Sequence, residues 1–364
     1  MFFSVIEQNK DAELLVQGLT TLTKMGINKY HYDRGEILAS QFSCGEDYNE
    51  LNQSTKQSIL AYCAEKAGFN PDMVKTKKGL LKAFSNPTFE WEYFAIQTEA
   101  LNNVNADNEV EDVMIAAQIS TIGLGDSKTF EIDSKSLYDV QENSYGNNVS
   151  RFQQQFKSSI TLTPTPKIAR IDFDVTQMAT IGYDFGKEMA KIAMSFRTKM
   201  YVDIVTALYD ATSHPTPFVE ATFAKTPYME LADRVSATNG SVGVTAFGTR
   251  VAFGKMSDTV DSGFNTLDEL NRNGFIGNLY NVRSVLFDQS VNSNTADYEF
   301  RVPNDKVILL SSASDRPIKM VREGNIEVDL KDGRNSSLSR RVYTYKDSWT
   351  VGVATQAIFG IQSV

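Results

Sequence analysis

The chain has 364 residues, of which 41% are hydrophobic and 22% charged, with 22 Phe and 15 Tyr. That profile is globular, allows two or three compact units, and excludes a disordered or fibrous protein. A formal net charge of -9 argues against a free nucleic-acid binder, because neutralising phosphates takes clustered Lys and Arg. The densest basic stretch, Lys75, Lys77, Lys78 and Lys82, reads as a solvated helix face.

Residues 1–6 are too short an apolar run for a signal peptide and lack a basic start, so the chain is expected to be made and kept in a cytoplasm. The best membrane candidate, 351–361, is interrupted by Thr355 and Gln356 and falls short of the roughly 18 apolar residues of a span. No membrane partner is expected. Cys44 and Cys63 alone make no disulfide framework.

Along the chain, Asp11 opens a helical pattern through Leu14, Leu15, Leu19 and Leu22, with Gly26 as its expected stop. Residues 29–49 are aromatic and polar without periodicity. A second helix is predicted over 58–66 with Ile59, Leu60 and Cys63. A third runs from Asn70-Pro71 through Val74, Leu80 and Leu81 to Asn86-Pro87. This first third reads as an arm more than a domain.

From Ile119 the period changes to two, with strands predicted over 129–132, 156–162 and 168–175. Between them lies a polar tip, 138–151, whose flanks can form an extended antiparallel ribbon. Two strands alone are marginal in water, so this ribbon needs a partner. A long helix follows over 184–211, with Phe185, Met189, Ile192, Phe196, Met200 and Ile204 at spacings of three and four. At 1.5 Å per residue it spans roughly 40 Å. Beyond His214-Pro215-Thr216-Pro217, helix is expected over 228–236, strand over 243–247 and helix over 248–253. Strands are then expected at 282–287, 307–310 and around Ile326, Val328 and Leu330, with a strand pair over 341–353 around Trp349.

Catalytic chemistry is hard to find. His31 and His214 are the only histidines, and each reads as a packed or turn-capping imidazole. Gly182-Tyr183-Asp184-Phe185-Gly186-Lys187 has three residues between its glycines where a phosphate loop needs four, and Glu188 where Ser or Thr should follow. Gly123-Leu124-Gly125 lacks the third glycine of a dinucleotide fingerprint and reads as a turn. Asp329 and Asp332-Gly333 have the wrong spacing for a calcium loop, and Glu109 and Glu111-Asp112 read as a solvated acidic loop. No catalytic, cofactor-binding or metal-binding residue is assigned, and no cofactor is expected.

The order of elements resembles the major capsid proteins of tailed bacteriophages, the Hong-Kong-97-like fold also found in encapsulins. Val244-Thr245-Ala246-Phe247-Gly248-Thr249-Arg250-Val251-Ala252-Phe253 is similar to that family's strand-then-helix step. Gly274-Phe275-Ile276-Gly277 before 282–287 resembles its glycine turn into a buried strand, and 340–360 resembles its closing strand. The resemblance implies an α+β fold with an N-terminal arm and helical extension (1–118), an extended β-hairpin E-loop (119–175), a peripheral domain with a long spine helix (176–227), a mixed axial domain (228–342) and a return to the peripheral domain (343–364).

It also implies a non-enzymatic shell protein of the virion, assembled in the host cytoplasm as hexamers and pentamers of itself around a double-stranded DNA genome. Portal, scaffold or decoration proteins would be further partners, and no sequence-specific nucleic-acid contact is implied. Tyr138, Tyr145, Arg151 and Phe152 are the candidate intersubunit contacts of the E-loop. Some members of the family cross-link an E-loop Lys; Lys128 and Lys135 lie in that region, yet an exposed Lys is ordinary there and the role is not carried over. Retention of the N-terminal region on maturation is expected. The alternatives are an encapsulin-type compartment and a cytosolic hydrolase using Cys44 or His31.

Overall fold

The computed structural model describes residues 10–33, 45–107, 116–133, 157–175, 184–211, 218–258, 274–287, 289, 291, 299–311, 316–324, 326–331, 340–354 and 359–364. The chain divides into two compact units, one of Met1–Glu109, Thr165–Thr198 and Glu323–Ser348, the other of Val110–Pro164, Lys199–Arg322 and Trp349–Val364.

The first unit is built on helices α1 (Lys10–Asp33), α2 (Gly45–Lys66), α3 (Lys77–Phe84) and α4 (Pro87–Asp107). A 3-10 turn, Pro71–Lys75, precedes α3. α1, α2 and α4 pack on one another around Val16, Leu19, Leu22, Ile59, Cys63, Phe89, Tyr93 and Leu101, all buried. The region expected to be more arm than domain is therefore a set of helices sharing a core. Asn70 caps the 3-10 turn by accepting from the Asp72 N–H, and Thr76 caps α3 by accepting from the Gly79 N–H. Phe84 meets Phe89 and Tyr93 edge-on at 4.9 and 5.3 Å.

One sequence expectation changes here and another is extended. Gly26 does not stop α1, which continues to Asp33. A Cβ at Gly26 would lie 2.5 Å from the Gly186 carbonyl oxygen, so this glycine serves close helix approach. Asn86-Pro87 follows the end of α3 at Phe84, as expected, and also begins α4. The Asn86 side chain accepts from the Thr88 N–H at 2.9 Å, and proline suits a first helical position because its missing donor would be unpaired there.

Strands β4 (Thr165–Asp174), β11 (Glu327–Lys331) and the start of β12 (Arg340–Val353) complete this unit, together with residues of α5 (Phe185–Asp210) through Thr198. β11 and β12 pair antiparallel, with Glu327 opposite Lys346 and their side chains 3.1 Å apart. The predicted strand pair over 341–353 is one 14-residue strand. Asp347 and Ser348 are buried within it, and the Ser348 N–H donates to Asp347 Oδ1 at 2.8 Å.

Burial pushes the Glu92 carboxyl above its ordinary value, against a smaller opposing pull from Lys66. A carboxyl raised by folding adds stability below its unfolded pKa, and that contribution is lost as pH rises through the native pKa. Glu92→Gln is accordingly expected to raise the melting temperature at neutral pH. The gain should vanish in acid, as thermal melts across the carboxylate range would record.

The second unit contains a six-stranded sheet, ordered β5 (Phe218–Glu220), β13 (Gly360–Ser363), β9 (Lys306–Ser311), β6 (Val244–Gly248), β8 (Val282–Leu286) and β7 (Asn278–Leu279). Helices α6 (Lys225–Thr238) and α7 (Arg250–Asp258) supply Leu231, Ala232, Phe253 and Met256 to the core formed with Ala246, Val307 and Leu309. The later residues of α5 belong to this unit. There Tyr209 and Lys306 exchange two bonds: the Tyr209 hydroxyl donates to the Lys306 carbonyl at 2.9 Å, and Lys306 Nζ donates to the Tyr209 carbonyl at 3.0 Å. Separately, β1 (Ala117–Thr121) runs parallel to β10 (Ile318–Arg322), which pairs antiparallel with Trp349 to Val353 of β12.

Candidate functional site

Tyr138, Tyr145, Arg151 and Phe152, the contacts expected on the E-loop, lie outside the described residues, as do Cys44, Lys135 and His214. The described part of that element is its root, where β2 (Lys128–Asp133) pairs antiparallel with β3 (Lys157–Leu162) from Lys128↔Leu162 to Asp133↔Lys157.

Strand alternation gives this ribbon two unlike faces. Phe130, Ile132 and Leu162 are buried on one, with Ile160 packed beside them. Thr129 and Thr161, opposite one another on the other face, are exposed, and their hydroxyls lie 2.8 Å apart. Glu131 and Ser159 extend that exposed polar face.

The apolar face sits on a specific bed within the second unit. Phe130 and Leu162 pack on Val321 of β10 and on Ile122, while Ile132 packs on Ala354. In the register of β10 with β12, Lys319 stands opposite Gly352 and Val321 opposite Thr350, so all four point to one side of those strands. A Cβ on Gly352 would come 2.7 Å from Leu162 Cδ2 and 2.8 Å from Ile160 Cδ1. Glycine there lets the ribbon lie close. The Thr350 hydroxyl donates to the Thr163 carbonyl at 2.7 Å and fixes the end of β3. Lys319 is 1% exposed; its ammonium donates to Gln118 Oε1 at 2.7 Å and lies 6.0 Å from the centre of the Phe130 ring.

The bed answers the weakness of a two-stranded ribbon. Each buried Phe, Ile or Leu contributes about 1.5–3 kcal/mol on leaving water, stability the ribbon lacks alone. Phe130→Ala is expected to cost about 3 kcal/mol and to unseat the hairpin. Helical circular dichroism should persist while the yield of large assemblies in size exclusion falls.

Sequence reasoning missed the bed, though signals were there. Gly352 interrupts Thr350-Val351-Gly352-Val353, and a glycine inside a strand often marks close approach. Lys319 sits in an otherwise apolar run, Ile318-Lys319-Met320-Val321.

The rejected phosphate motifs have structural uses. Gly125 takes a positive φ of 79° in a turn closed by the Asp126 N–H donating to the Gly123 carbonyl at 3.2 Å. Gly186 is a buried helix-contact residue. Lys128 is exposed on the hairpin, 6.0 Å from the Phe130 ring centre. Cys63 is fully buried, and burial pushes its thiol pKa up, which suits a core side chain and not a nucleophile. Among the described residues there is no group of three or more His, Cys, Asp or Glu placed to hold a metal, and no helix long and apolar enough to cross a membrane.

The mixed helix-and-sheet architecture is that of the α+β class expected from the sequence. Solved structures similar to the chain include several capsids. The capsid of the native GTA particle aligns with a TM-score of 0.47 and 9% identity, over 70% of this chain and 90% of that one. The capsid of cyanophage P-SCSP1u gives 0.44 and 10%, over 68% and 86%. That of Helicobacter pylori bacteriophage KHP30 gives 0.45 and 7%, over 68% and 88%. No curated protein matches the chain. A family model matches residues 40–363, and the chain belongs to that family, described as the SPbeta prophage-derived putative capsid protein YonB. The capsid class implied by the element order is thus the class of the matched family.

Proposed function

We propose that the chain is the major capsid protein of a tailed phage, a building block that assembles with copies of itself into the icosahedral head shell around a double-stranded DNA genome. The observation that carries this reading, in a chain of a capsid-protein family, is the hairpin. Its root is held on an apolar bed while its other face is polar and exposed. The bed gives the ribbon a core at its root, and the rest of the hairpin gains its cover by overlying a neighbouring subunit.

In this reading the hairpin and the residues joining its strands are the E-loop, and Tyr138, Tyr145, Arg151 and Phe152 belong to the intersubunit contact. α5 is the spine helix. Copies join as hexamers and pentamers in the virion, assembled in the host cytoplasm, with portal, scaffold or decoration proteins as further partners. Lapped hairpins extend the contact beyond the roughly 1,600 Å² of a standard interface. The net charge of -9 suits a wall that repels packaged DNA.

Sedimentation velocity of the purified full-length chain tests the reading. Uniform particles of many tens of subunits are expected. A folded monomer or dimer that persists across concentration and salt would contradict it.

A further inference from the structure

Within the first unit, the start of α5 is held by residues from far earlier in the chain. Asp184 precedes the helix, and its Oδ1 accepts from the Lys187 N–H at 3.0 Å, a helix cap. The same oxygen accepts from the hydroxyl of Tyr48 on α2, a side chain 1% exposed. Asn52, one turn on, accepts from the Gly186 N–H at 3.3 Å through its Oδ1. These two α2 side chains thus satisfy groups at a helix start that would otherwise need water or a further cap.

Apolar contacts run alongside. A Cβ on Gly186 would lie 2.7 Å from Leu22 Cγ and 2.8 Å from the Tyr48 hydroxyl oxygen. The Phe185 ring lies 6.2 Å from Tyr93 of α4. α4 is tied to the β11–β12 pair of the same unit as well. The Ile326 N–H donates to Asn102 Oδ1 at 2.6 Å, the Tyr345 hydroxyl donates to Gln97 Oε1 at 3.3 Å, and Phe94 and Tyr343 have ring centres 4.7 Å apart.

We propose that residues 10–33 and 45–107 are a permanent wall of the first unit that fixes the start of α5, so that they stay with the chain throughout shell formation and are not a removable scaffold. Shedding them would strip Phe185 and Tyr343 of aromatic neighbours and leave the Gly186 N–H without its partner. The mention of a shell rests on the capsid reading; the retention itself does not.

The test places a site-specific protease sequence within 108–115 of the full-length chain, cuts it to completion, and follows both fragments by native gel filtration. They are expected to co-elute until denaturant is added. Tyr48→Phe keeps the ring but removes the bond to Asp184, and should speed release of the N-terminal fragment about tenfold, the equivalent of one charge-assisted hydrogen bond. Release of the fragment from a remainder that stays folded would overturn the proposal. So would retention unaffected by Tyr48→Phe, which would show that these contacts do not hold the segment. Microscopy of uncut protein keeps the two readings apart: co-eluting fragments without particles would count against the shell and not against the wall.

Discussion

Gly26→Leu is expected to lower the stability of the chain by about 3 kcal/mol or more, enough to abolish assembly at working temperatures. Helix propensity points the other way, since replacing a mid-helix glycine normally gains up to about 1 kcal/mol. Contact decides the sign. A Cβ at Gly26 would lie 2.5 Å from the Gly186 oxygen, 2.8 Å from its carbonyl carbon and 3.2 Å from Ala190 Cβ. Two of those atoms belong to the backbone of α5 and cannot rotate away, so α1 and α5 would have to part along a buried seam. Gly26→Ala should lose less than Gly26→Leu yet still lose. Thermal melts of both variants measure this, and a gain in stability for Gly26→Ala would mean that the seam is looser than the distances state.

Trp349→Ala is expected to cost about 4 kcal/mol, a loss confined to the second unit's side of β12. Trp349 is fully buried, and its indole N–H donates to Asp203 Oδ2 on α5 at 3.1 Å. Asp203 keeps a second partner, Lys199, and is partly exposed, so losing the indole bond is the smaller term. The cavity dominates. Trp349→Phe refills most of the volume and forfeits the bond, for about 1 kcal/mol. Denaturant midpoints should rank wild type above Phe and Phe well above Ala; equal losses would assign the effect to the hydrogen bond.

What was legible in the sequence followed from how cleanly each element separated its faces. α5 was predicted because Phe185, Met189, Ile192, Phe196, Met200 and Ile204 keep helical spacing, and all six are buried. β2 and β3 were predicted from simple alternation. α2 was predicted only from Ser58, although it starts at Gly45. The buried face of its first half carries Tyr48, Asn52, Thr55 and Lys56, polar types that hide the period although their spacing is helical. α4 was missed for the opposite reason: Trp91 is 40% exposed on its outer face while Phe89 and Tyr93 are buried, which blurs the pattern. The order of elements pointed to a capsid class, and the matched family is of that class. The bed under the hairpin left only isolated signals, Gly352 within a strand and Lys319 in an apolar run, because it depends on those residues and Val321 meeting across two strands distant in sequence.

A shell built from copies of this chain, as proposed, has each hairpin lapped over a neighbour. Electron cryomicroscopy of particles from the expressed full-length chain tests it most directly. Closed icosahedral particles are expected, in which each β2–β3 hairpin extends onto an adjacent subunit. A well-folded protein that forms no closed particle, or particles whose hairpins touch only their own chain, would contradict it.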